Sequence, residues 1–271
     1  MLSFLRIRNA LMLALCCAAL LGCGKRTQNS HKTLTVFVAA SLTDVIQEIG
    51  RSYTNDNGIE LVYNFAGTGA LARQLIASPK ADLFISADPV WMEKLAQAGR
   101  VDSTSIYPLL SNQLVLIAHQ KAEETAASIQ NLCEASFSYL AIGDPSYVPA
   151  GNYAKRVLES VSCPERGSLW DSIQAEGRLS PCPDVRAALA QVAGSKDVLG
   201  IVYRTDALAR SEEVKILSEL PQPTEEPILY PAAVLNSTAQ PSEASRFLSY
   251  LQGPNARQIF ESAGFVVTPG K

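Results

Sequence analysis

Histidine is nearly missing from this 271-residue chain, which has only His31 and His119. His31 stands in a polar N-terminal stretch, and His119 ends an apolar run far in sequence from Ser41. A Ser-His-Asp arrangement is therefore poorly supplied. No Cys-x-x-Cys occurs, so neither zinc nor thioredoxin chemistry is suggested. No glycine-rich loop ends in Gly-Lys-Ser/Thr, which excludes a Walker A phosphate cradle. Basic charge is in deficit: 23 Lys and Arg stand against 26 Asp and Glu, for a formal net charge of −3. With no basic block, nucleic acid is a poor candidate partner. No cofactor is expected. What is present is a globular composition, 47% hydrophobic and 18% charged. The length suits one large domain or two lobes.

The N-terminus reads as a targeting segment. Arg6 and Arg8 precede an apolar run from Ala10 to Leu21, short for a mature membrane span. Leu20-Leu21-Gly22-Cys23 follows. It resembles the lipobox of bacterial lipoproteins, in which cleavage falls before the cysteine and its thiol is lipidated. Residues 1–22 are then a signal peptide, Cys23 is the lipidation site, and 23–32 are a polar tether. The mature chain is expected outside the cytoplasm, periplasmic or at the cell surface, held to the membrane by its lipid. Cys133, Cys163 and Cys182 remain in a compartment that permits disulfides. Cys163 and Cys182 bracket a Pro/Gly/Ser-rich stretch and form the favoured pair, with Cys133 free, though spacing alone does not fix the pairing.

From Thr33 onward, short β-branched runs alternate with helical stretches, the pattern of an α/β fold. Strands are predicted at 34–39, 60–65, 83–86, 114–119, 139–142, 200–203 and 228–234. Helices are predicted at 42–53, 70–76, 89–98, 151–160, 185–193, 242–251 and 255–262. Asp88 fits an N-cap with Pro89 at the first helical position, and Gly99 fits the closing residue. A crossing to a second lobe near Asn112 and a return near Tyr230 would give lobe one as 33–112 plus 231–271, and lobe two as 113–230. A cleft between lobes is a natural small-ligand site.

Two hydroxyls sit where a strand becomes a helix. Ser41 ends Leu34-Thr-Val-Phe-Val-Ala-Ala-Ser41, and Thr68 stands in Gly67-Thr68-Gly69. Helix N-termini carry unpaired N–H groups and partial positive charge, so two such ends can cradle an anion without a cationic side chain. Ser41-x-x-Asp44 also matches a capping box, and Gly-Thr-Gly also fits a plain turn. Val148-Pro-Ala-Gly-Asn-Tyr-Ala-Lys155 and Pro183-Asp-Val-Arg-Ala-Ala-Leu189 are two further turns into helices, where Ala150 or Gly151 and Val185 offer N–H groups, although nothing local singles out Ala150 or Val185. Tyr203 ends an apolar strand at a polar turn, where it could aim into a cleft or simply cap a core edge.

These stretches resemble the molybdate-binding proteins of ABC-type uptake systems. The resemblance is carried by Val38-Ala-Ala-Ser-Leu-Thr43, Leu71-Ala-Arg-Gln74, Ala81-Asp-Leu-Phe-Ile-Ser-Ala-Asp88, Gly143-Asp-Pro145, Val148-Pro-Ala-Gly151 and Leu199-Gly-Ile-Val-Tyr203. It implies the two-lobed periplasmic binding protein fold, type II, with molybdate or tungstate in the cleft between the lobes. It implies five ligand contacts: Ser41 and Thr68 by hydroxyl and N–H, Ala150 and Val185 by N–H, and Tyr203 by its phenol. It further implies a monomer that is not an enzyme and that delivers its ligand to a permease. Molybdenum enters only as the bound oxyanion. Gly67 and Gly69 depart from the serines common in the family, and Cys163 and Cys182 are atypical. The competing expectations are a receptor for another oxyanion such as sulfate, and a secreted hydrolase.

Overall fold

Two sheets, joined twice by the chain, organise this computed structural model, which describes residues 32–123, 128–221 and 227–269. The signal peptide, Cys23 and nearly all of the tether lie outside the described residues, as does the run 222–226. In chain order the strands are β1 (Thr33–Ala39), β2 (Glu60–Ala66), β3 (Leu83–Ile85), β4 (Tyr107–Ser111), β5 (Leu114–His119), β6 (Tyr139–Gly143), β7 (Ser162–Cys163), β8 (Gly167–Ser168), β9 (Leu179–Cys182), β10 (Val198–Tyr203), β11 (Val214–Glu219), β12 (Leu229–Val234) and β13 (Val266–Val267). The α-helices are α1 (Thr43–Asn57), α2 (Thr68–Ala77), α3 (Pro89–Gln97), α4 (Pro149–Ser160), α5 (Leu169–Ala175), α6 (Val185–Gly194), α7 (Arg204–Ala209), α8 (Pro241–Leu251) and α9 (Pro254–Ser262).

The first sheet has six strands in the order β13-β4-β12-β3-β1-β2, and the second has five in the order β11-β5-β10-β6-β9. The chain leaves the first sheet after Ser111, enters the second at Leu114, and rejoins the first at Leu229. β1 runs parallel to β2 and β3, and β10 runs parallel to β6. Such strands are covered on both faces and read as continuous apolar runs. β10, Val-Leu-Gly-Ile-Val-Tyr, is buried at every residue. Helices add one apolar stripe each. In α1, Val45, Ile46, Ile49 and Tyr53 recur at helical spacing and are buried. The Tyr53 ring meets Phe247 of α8 with centroids 4.8 Å apart.

A contiguous core runs through both sheets, and a second cluster packs α2 and α3 onto the first sheet through Leu71, Leu75, Phe84, Met92 and Leu95. The Asp88 carboxylate accepts from Val90 N–H with Pro89 in the first turn of α3, the cap foreseen from sequence.

The cysteine pairing differs from expectation. Cys133 and Cys163 form the disulfide, with Cα atoms 5.6 Å apart, and Cys182 is a buried free thiol. The stretch between Cys163 and Cys182 is not a loose loop awaiting a staple. It folds as the β7–β8 hairpin, α5 and β9, and β9 fixes Cys182 opposite Gly143 in the second sheet. Cys163 instead meets the end of the 3₁₀ turn Ile129–Cys133.

Candidate functional site

Four helical segments begin at the C-terminal ends of strands and point their first residues at one chamber. The 3₁₀ turn Ala40–Leu42 follows β1, α2 follows β2, α4 follows β6, and α6 follows β9. This is where open α/β sheets present ligand sites. Ser41, Thr68, Ala150, Val185 and Tyr203 all line the chamber. None is more than 4% exposed. The centre of a water-sized sphere has about 10 Å³ in which to move, so the space suits one compact group.

The chamber is rich in donors. Among the described residues no Lys, Arg or His lines it, and Asp184 is its one charged side chain. No side chain caps the Ala40 turn, α2 or α4, whereas α3, α5 and α6 are capped by Asp88, Ser168 and Asp184. Even on α6, Asp184 takes the Ala187 N–H at 2.9 Å and leaves the Val185 N–H without an intrahelical acceptor. Pro149 donates nothing, so the first N–H of α4 comes from Ala150.

The hydroxyls are oriented by what stands behind them. Thr68 Oγ1 accepts from Ala87 N–H at 3.1 Å, which leaves its proton for the chamber. Ser41 does not close a capping box. It lies inside the 3₁₀ turn, and its Oγ is 3.2 Å from the Tyr230 hydroxyl. Tyr203 is 1% exposed, and its hydroxyl has no hydrogen-bond partner. The Tyr230 hydroxyl interacts with it electrostatically without reaching hydrogen-bond geometry. Burial, then Tyr230, holds the Tyr203 phenol well above the usual tyrosine range. It therefore stays protonated, a buried donor awaiting an acceptor.

Around the chamber the two halves touch directly. Gly69 N–H donates to the Tyr147 carbonyl at 3.1 Å, and the Arg73 guanidinium lies 4.7 Å from the Tyr147 ring centroid. A Cβ on Gly67 would stand 2.6 Å from the Pro183 carbonyl oxygen, and one on Gly69 would stand 2.3 Å from that of Tyr147. Glycine is required at both points by close approach of backbone. Arg186 of α6 pairs with Asp44 of α1 at 2.7 Å and with Asp206 at 2.6 Å, the latter a close ion pair that falls short of hydrogen-bond angles. Asp206 is fully buried, and desolvation raises its pKa to about 7 against the opposing pull of Arg186.

Residues 34–266 match the family of bacterial extracellular solute-binding proteins. The chain belongs to that family. Among its relatives, the molybdate-binding protein ModA of Escherichia coli is 37% identical over 238 residues, 86% of this chain and 89% of that one. ModA of Haemophilus influenzae is 34% identical over 236 residues, 86% of this chain and 89% of that one. The solved periplasmic molybdate-binding protein of Azotobacter vinelandii superposes with a TM-score of 0.76 at 26% identity, covering 87% of this chain and all of the other. The architecture is thus that of a periplasmic binding protein, with two α/β halves and a chamber between them.

In this solute-binding protein, sequence reasoning missed the groups behind the site. Tyr230 and Asn112 touch the Ser41 network from 189 and 118 positions away along the chain, counted between Ser41 and Tyr230 and between Asn112 and Tyr230. No local pattern marks them. Arg186 stood beside the flagged Val185, yet a lone arginine on a helix reads as a solvated residue.

Proposed function

We propose that this chain is a non-enzymatic receptor that captures molybdate, and tungstate with it, and delivers it to the permease of an ABC transporter. The observation that carries the reading is the donor set. Three uncapped helical starts, two hydroxyls with acceptor sides turned outward or filled, and an unpartnered phenol surround a chamber without cations. Molybdate at neutral pH is a dianion with no proton, so it asks only for donors. Hydrogen phosphate brings a proton that none of the five donor residues accepts, and the one carboxylate of the lining, Asp184, is engaged by the Ala187 N–H of its own helix, which discriminates against it. Sulfate has molybdate's charge and must be excluded by size. The identity to molybdate-binding relatives supports the choice.

In this reading Ser41 and Thr68 donate by hydroxyl and N–H, Ala150 and Val185 by N–H, and Tyr203 by its phenol. The half built on the six-stranded sheet is one lobe and the half on the five-stranded sheet the other. Closure brings their donors together around the anion. The chain works as a monomer outside the cytoplasm, tethered by lipid on Cys23.

A thermal-shift titration of the purified protein against molybdate, tungstate, sulfate and phosphate tests this. Ligand that binds only the native state stabilises it by about 2.7 kcal/mol at a hundredfold excess over Kd. Molybdate and tungstate alone should shift the midpoint. A shift with sulfate instead would make this a sulfate receptor, and no shift with any of them would overturn the oxyanion reading. Turnover of phosphate or acyl esters would point to a hydrolase.

A further inference from the structure

We infer that Asn112 and Tyr230, neither of which lines the chamber, set the direction of the Ser41 hydroxyl and thereby make the site reject oxyanions that carry a proton. This deepens the function proposed above and rests on it.

The argument starts at Asn112, which is 4% exposed. Its Oδ1 accepts the Gln113 N–H at 2.9 Å, which fixes the orientation of the amide. Its Nδ2 then donates to Thr205 Oγ1 at 2.9 Å and to the Tyr230 hydroxyl at 3.2 Å. An amide nitrogen can only donate, so the Tyr230 oxygen accepts at that contact. Tyr230 is fully buried. Among the described residues, the acceptor in hydrogen-bond geometry for its own proton is Ser41 Oγ, at 3.2 Å. A buried O–H without a partner is costly, so Tyr230 gives its proton to Ser41. That fills one Ser41 lone pair and keeps the Ser41 proton from turning back to Tyr230, which leaves it for the chamber.

Direction is passed from amide to phenol to serine, each hydroxyl accepting behind and donating ahead. A free serine hydroxyl would have a choice. It could turn a lone pair to the chamber and accept the proton of a hydrogen oxyanion. The relay takes one of the two lone pairs and holds the proton away from Tyr230, which weights the chamber-facing side toward donation, as Ala87 N–H does for Thr68. Rigid packing holds the relay in place. Tyr230 sits on β12 opposite Leu110 of β4, and its ring lies 5.7 Å from Tyr203 and 5.8 Å from Phe265.

Two substitutions test it. Tyr230→Phe keeps the ring and deletes the middle hydroxyl. Asn112→Asp keeps the shape and turns the first donor into an acceptor. Dissociation constants for molybdate and for hydrogen phosphate are measured by calorimetry at mildly alkaline pH, with folding checked by thermal unfolding. The ratio of the phosphate constant to the molybdate constant should fall by about tenfold or more in either variant, a change of roughly one decade in Kd. Phosphate binding too weak to detect in the parent sets a lower bound, so its appearance in a variant counts as a fall. In a Ser41→Ala background, Tyr230→Phe should leave the ratio unchanged, because its effect runs through that hydroxyl. A folded variant whose ratio matches the parent's, or which binds neither anion, overturns the relay alone. A parent that binds no molybdate overturns the oxyanion reading and the relay with it. Should Tyr230→Phe fail to fold, Asn112→Asp decides.

Discussion

Deleting the Tyr203 hydroxyl should separate ligand binding from stability. Most buried hydroxyls serve both, because removing one strands the group it was paired with. Tyr203 is different: its hydroxyl is buried and, among the described residues, has no partner in hydrogen-bond geometry, the Tyr230 hydroxyl being its electrostatic neighbour. Tyr203→Phe therefore breaks no well-formed hydrogen bond, and it relieves a desolvated polar atom while keeping the ring that packs 5.7 Å from Tyr230. The ligand-free protein should unfold at the same temperature as the parent or higher. Binding should tell the opposite story. A hydrogen bond to a charged group is worth about 1.5–3 kcal/mol, so molybdate affinity should fall roughly ten- to a hundredfold. Calorimetry on the ligand-free and titrated protein reads both numbers from one preparation. Ser41→Ala is the contrast, since it strands the Tyr230 proton as well and should lower both stability and affinity. An unchanged Kd in Tyr203→Phe would refute the assignment of that phenol to the ligand.

Gly69→Ala places a Cβ against the Tyr147 carbonyl, which cannot swing aside, so molybdate Kd should rise about tenfold or more; a normal Kd would mean the halves need not approach that closely. Asp206 ties stability to pH with a definite sign. Its folded pKa is raised from 3.8 to about 7, so between these values the native state holds a proton the unfolded chain has lost, and stability falls as pH rises. Asp206→Asn should gain on the parent through that window, by up to about 4 kcal/mol, and a difference that stays flat with pH in denaturant titrations would contradict the assignment. Peptide mapping without reductant should join the Cys133 and Cys163 peptides, and Cys133→Ser should cost about 2–4 kcal/mol in chemical unfolding. Joined Cys163 and Cys182 peptides would reverse the pairing.

The sequence made the long, self-consistent elements legible. β5 and β10 are near-continuous apolar runs, β1 is β-branched and apolar from Val36, and α1 and α3 carry both their stripe and their stop signals. The edges were opaque. β9, Leu-Ser-Pro-Cys, tolerates proline because it is an edge strand, yet proline argues against a strand when read locally. β11 is the opposite edge and shifts register between Ile216 and Ser218, which blurs its alternation. α7 spans six residues, too few for a periodic signal. In the site, Ser41 and Thr68 could be located because a strand-to-helix turn is local, whereas Ala150 and Val185 came only with the family resemblance. Asn112, Tyr230 and the Arg186–Asp206 pair could not, since only the tertiary fold brings them beside Ser41.

The double crossing between sheets also sets an order of assembly for a chain that emerges from its N-terminus. All five strands of the second sheet fall between Leu114 and Glu219, so that sheet can complete itself as soon as this segment has emerged. The first sheet cannot. β3 and β4 are joined only through β12, which arrives at Leu229. Until then β1, β2 and β3 expose the edge that β12 will cover, with β4 waiting apart. The half that comes first in sequence is thus finished last, and its open edge is an unpaired strand edge until β12 arrives.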